Sequence, residues 1–168
     1  LDANLPAVLR GEGKPGNGAE GIEFAWLCQF YKHQTAAAVR FYAEAFAVEP
    51  ELADGLTKPH RYNAACAAAL AGCGQGEDAG SIGDEERARL RQQALDWLRA
   101  DLDRWRKLLE GDSADAPAKV VETLKHWQTD PDLAGVRDAE PLAKLPEPER
   151  EAWGKFWAEV GQLLGIGE

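Results

Sequence analysis

Apolar residues in this chain recur at steps of three and four and nowhere in sustained alternation. The clearest run is 84–111, where Leu90, Ala94, Trp97, Leu98, Leu102, Trp105 and Leu109 fall on one stripe of an α-helix. Asp84, Glu85 and Glu86 stand at its start, Arg106 and Lys107 at its end, and Gly111 just beyond. Those charges complement the helix dipole. About 26 residues at the helical rise span roughly 39 Å, and one apolar stripe of that length predicts several neighbouring helices to cover it.

The rest of the chain supplies them. EGIEFAWLCQFYKH carries two stripes, Phe24, Leu27, Cys28 and Tyr31 on one side and Ile22, Trp26 and Phe30 on the other, as expected of a helix between two layers. Thr35 begins a helix with Ala38, Phe41, Tyr42, Ala45 and Phe46 in register, and Pro50 closes it. Pro59 opens an alanine-rich helix that Gly72 ends. Val120, Leu124 and Trp127 align on a further helix that Pro131 stops, short turns follow, and Trp153, Phe156, Trp157, Val160, Leu163 and Leu164 form the last stripe. The fold expected is all-α, with about six or seven helices stacked as a bundle or solenoid. Leu5, Val8 and Leu9 are spaced for one short amphipathic turn; residues 1–19, Gly/Pro-rich from Gly11 on, read as a flexible linker or arm, and 20–168 as one helical domain. The glycines and charges of 73–83 predict a mobile, easily nicked loop.

Charge narrows the function classes. The net charge of −10 divides into ten acidic and six basic residues over 1–83, seven of each over 84–110, and twelve and six over 111–168. No basic face emerges, so neither nucleic acid nor an anionic membrane surface is an expected partner. Cys28, Cys66 and Cys73 are odd in number and sit in or beside apolar helical patterns, which predicts reduced thiols acting as small hydrophobes. No apolar run reaches the ~18 residues of a membrane span. The chain holds no Met and begins at Leu1, so it reads as a piece of a longer, cytoplasmic protein whose parent is free to be membrane-anchored.

Sites for chemistry are scarce. GCGQG at 72–76 follows a helix rather than a strand, and GEGKPG at 11–16 lacks the Ser/Thr that binds magnesium in a phosphate loop. His33, His60 and His126 are scattered without a zinc-ligand spacing. Cys28 and His33 lie five apart across a helix end, which does not align them for nucleophilic catalysis. The expectation is therefore a non-enzymatic chain without cofactor or metal.

Ala25, Ala38, Tyr42, Ala45 and Pro50 resemble a tetratricopeptide repeat, in which small residues let two helices pack closely and an aromatic fills the gap to the next pair. A second pair resembles it through Asn63, Ala65, Ala68 and Gly72, then Ala94 and Leu98, with a loop insertion between its helices and Asp101 at an expected small apolar position. HRYNAACAAALAGCGQGEDA, RQQALDWLRADL and HWQTDPDLAGVRD are similar to a tail segment of bacterial multidomain proteins, many of which carry a serine/threonine protein kinase domain upstream. The resemblance implies antiparallel helix pairs in a right-handed superhelix: a first repeat over 20–50, a second over 59–110 and capping helices over 115–165. It implies a scaffold that binds a protein or peptide, its own upstream domain included. By the same resemblance Ile22, Trp26, Gln29, Tyr62, Asn63 and Cys66 face an inner groove. Asn63 stands where peptide-gripping members use an amide, although their matching lysines are absent here. A different class of role is self-association, with apolar stripes shared between two chains.

Overall fold

The computed structural model describes residues 3–10, 12–56, 58–111 and 113–167, and among them there is no strand. Nine α-helical segments succeed one another: α1 (Leu5–Leu9), α2 (Gly18–Trp26), α3 (Thr35–Val48), α4 (His60–Gly72), α5 (Asp84–Leu109), α6 (Ala116–Thr129), α7 (Ala134–Arg137), α8 (Ala139–Ala143) and α9 (Glu147–Gly167). The all-α class follows directly. Among the described residues no helix is long and apolar enough to cross a membrane.

By its packing the chain divides into two compact units, Leu1–Ala94 and Leu95–Glu168. The division falls inside α5, so its long stripe serves two cores in succession. Leu90 and Ala94 are buried in the first, Leu95, Leu98, Leu102 and Trp105 in the second. The second repeat expected over 59–110 is therefore split between them.

In the first unit α2 and α3 run antiparallel. The Gly18 amide donates to Glu49 Oε1 (2.8 Å), the Phe24 and Phe41 rings stack 5.6 Å apart, and Tyr42 meets Gln29. As one helix is climbed the other is descended. Small residues permit this approach, since a methyl added at Gly21 would stand 3.2 Å from the Ala45 Cβ. Ala25, Ala38 and Ala45 are buried along the same pair. α4 is apolar all round, with Ala64, Ala65, Cys66, Ala67, Ala68, Ala69 and Ala71 buried, the mark of a central helix.

Two expectations are corrected in this unit. α2 begins at Gly18 rather than Glu20, because Asn17 Oδ1 accepts the Glu20 amide (2.8 Å) and Glu20 Oε2 accepts the Gly16 amide (2.6 Å). Leu5–Leu9 forms the short helical turn that its spacing predicts, with Leu5 buried. The loop over 73–83 is also held. Gln34, at the start of α3, makes no side-chain cap. Asp78 does so from a distance, its carboxylate accepting the Ala36 (3.1 Å) and Ala37 (2.9 Å) amides. Thr35 Oγ1 donates to the Gln75 carbonyl (2.7 Å), the Glu77 amide donates to the His33 carbonyl (2.7 Å), and Ala79 is fully buried. Orphan amides at a helix start are costly to leave unpaired, and this loop satisfies them.

The second unit is packed with large rings. Trp127 stacks on Phe156 (6.4 Å), while Trp153 and Trp157 meet Phe156 edge-on at 6.0 and 5.0 Å. Trp157 Nε1 donates to the Val136 carbonyl (2.8 Å), tying α9 to α7. Arg106 bridges α5 to Glu159 of α9 at 2.8 Å. Arg137 Nη1 donates to the Asp130 carbonyl (2.7 Å), which fixes the turn after α6.

Candidate functional site

The six residues expected to line a groove do not share one surface. Ile22, Gln29, Tyr62 and Cys66 are buried, Asn63 is half-buried, and Trp26 alone is open, at 46% exposure. Gln29 shows why. Its amide donates to the Asn63 carbonyl (3.1 Å) and its oxygen accepts the Tyr42 hydroxyl (3.0 Å), so it joins the three helices from within. A core polar group paired at both ends is a structural pin, not a ligand contact. Arg61 is buried too, donating to the Ala53 carbonyl (2.7 Å) and pairing with Asp54.

Burial also sets the chemistry of this core. It pushes the Cys28 thiol up to about 11, with the Asp78 carboxylate adding to the effect. It raises the Tyr42 hydroxyl above its ordinary range, with the Asn63 amide opposing. A thiol held protonated is a poor nucleophile. None of the three cysteines is in a disulfide; Cys28 and Cys66 are buried and Cys73 is half-buried. Among the described residues no group of three His, Cys, Asp or Glu is placed to hold a metal ion.

What the first unit does present is an aromatic ridge. Past Trp26 the helix widens into a π-turn, Leu27–Tyr31, in which the Lys32 amide reaches back five residues to the Leu27 carbonyl (3.1 Å). His33 ends the element with a φ of 52°. The extra residue in that turn shifts everything after it relative to α2. Cys28 and Gln29 stay inside, whereas Phe30 (41% exposed) and Tyr31 (65%) are turned out beside Trp26. Trp26 touches both rings, its centroid 5.3 Å from that of Phe30 and 5.5 Å from that of Tyr31, each pair tilted by 58°. Three contiguous exposed rings form the kind of surface that anchors a partner.

Periodicity paired Phe30 with Trp26, as observed, but misassigned Tyr31. The helical register placed Tyr31 with the buried Phe24 and Cys28, and nothing in the residues 27–31 marks a π-turn. Two clefts also open on this unit. One, of about 510 Å³, lies at the start of α2 between Lys14, Asn17, Gly21, Phe41 and Val48. The other, between α3 and the first turns of α5, is taken up below. Neither a protein-family model nor a curated protein nor a solved structure matches the chain.

Proposed function

We propose that this chain is a non-catalytic binding module that holds a segment of a protein partner against Trp26, Phe30 and Tyr31. The observation that carries the reading is that ridge: three adjoining large rings left to solvent on the first unit. Aromatic side chains contribute most of the energy at protein interfaces, because they bury large apolar area at little entropic cost. The antiparallel, alanine-spaced pair α2/α3 supports the finer proposal of a tetratricopeptide-like right-handed superhelix. On that proposal the module is the interaction or regulatory tail of a longer kinase-containing protein, with the upstream domain among its partners.

The test is selection of the full chain against a random peptide library, followed by calorimetry. Enriched peptides are expected to bind the wild type. Trp26→Ala and Tyr31→Ala are each expected to weaken binding by roughly ten-fold or more, the loss typical of an interface anchor. Folding stability of either variant should change by less than about 0.5 kcal/mol, as for other surface positions. No enrichment, or binding that survives loss of all three rings, would remove the proposal.

A further inference from the structure

The outer face of α3 carries a second feature, made of residues the ridge does not use. Between α3 and the start of α5 runs a groove of about 410 Å³, with Val39, Ile82 and Leu90 along it and Arg40 and Glu44 on its α3 edge. Across the groove Glu86 and Arg89 already neutralise each other through two short bonds, 2.6 and 2.7 Å. Arg40 and Glu44 are different. They are exposed, one turn apart, and among the described residues neither enters an ion pair; the Arg40 guanidinium lies instead 5.0 Å over the Phe41 ring.

A partner of one charge would satisfy one of these two groups and repel the other. A second α3 laid antiparallel satisfies both, twice over. Under a two-fold axis, Arg40 of each copy faces Glu44 of the other. The same register brings Val48, at 70% the most exposed large apolar side chain described, level with Ala36 of the opposite copy, which lines the groove. Ala43 and Ala47 stand exposed between them and keep the contact low enough for two helices to approach closely. One symmetry operation thus pairs both charges and covers the exposed valine. We propose that this face of α3 is a self-complementary surface that docks a second copy of the chain.

The experiment is sedimentation equilibrium of the full chain at 0.15 M salt, where repulsion between chains of net charge −10 is screened beyond about 8 Å. The wild type is expected to show a concentration-dependent monomer–dimer equilibrium. R40E sets two acids opposite two acids, and E44R two bases opposite two bases. Each should therefore raise the dimer dissociation constant by roughly ten-fold or more. An equimolar mixture of the two variants restores both opposite-charge pairs and should dimerise again. V48D provides a second, independent loss, and circular dichroism checks that every variant is folded. Three results overturn the proposal: a wild type monomeric at all concentrations, a dimer indifferent to these substitutions, or a mixture that associates no better than its parts.

Discussion

The two units of this chain reach a closed core by opposite routes. The first packs helices through glycine and alanine, with Gly21 against Ala45 and seven alanines or cysteines of α4 buried together. The second packs Trp105, Trp127, Trp153 and Phe156 between its helices. All four exposed large hydrophobics of the described residues, Trp26, Phe30, Tyr31 and Val48, belong to the first. The first unit also buries Phe24, Phe41 and Tyr42, so what sets it apart is that three further rings, Trp26, Phe30 and Tyr31, are left at its surface. Where the rings fill the core, the surface carries charge instead. The first unit is thus the one that carries the proposed binding surfaces.

The sharpest way to break this contrast is to remove a ring from the second unit. Trp127→Ala should cost about 3–5 kcal/mol in denaturant unfolding, the penalty for an unfilled aromatic site. A loss below about 1 kcal/mol would mean that the rings are not a packed core. In the first unit the corresponding injury is to add volume rather than remove it. Ala45→Leu, opposite Gly21 at 3.2 Å, should destabilise by about 1–3 kcal/mol through overpacking. Were it neutral, the close α2/α3 contact would be slack.

Tyr42→Phe deletes the hydroxyl that Gln29 accepts and leaves a buried amide oxygen short of a donor, at a cost of about 1–3 kcal/mol. Alkaline titration reports on the same core. Cys28 and Tyr42 both have folded values raised above their ordinary ones, so the fold favours their neutral forms. The Cys28 contribution is present below pH 9.0, the ordinary thiol value, and is lost as pH rises towards about 11, whereas that of Tyr42 starts to be lost only above pH 10.0, the ordinary phenol value. Thiol labelling at pH 8 should accordingly reach half-buried Cys73 well before Cys28. Equal rates would deny the difference in burial. Asp78→Ala is the mildest change, about 1 kcal/mol for a lost cap. Its clearer readout is limited proteolysis, in which 73–83 should resist cleavage in the wild type and be nicked early in the variant.

Much of this was legible in the residues themselves. The helices at 35–48, 60–72, 84–109 and 116–129 fall where their apolar spacing, prolines and glycines put them. Spacing along one helix is a local property, and the alanine content of α4 announces a central position without any partner being known. The candidate site was half visible. Trp26 was named among the groove residues, but Phe30 and Tyr31 were not, and Gln29 and Cys66 were placed on a surface from which they are hidden.

What only the tertiary structure decided is which side of a two-sided helix is covered, and by what. Asp78 capping α3 from forty residues away and the division of α5 between two cores depend on contacts distant in sequence, and the π-turn that turns Phe30 and Tyr31 outward left no mark in the residues that form it. Periodicity along the chain records the preference of each element for an apolar neighbour. It holds no record of how many neighbours that element will find.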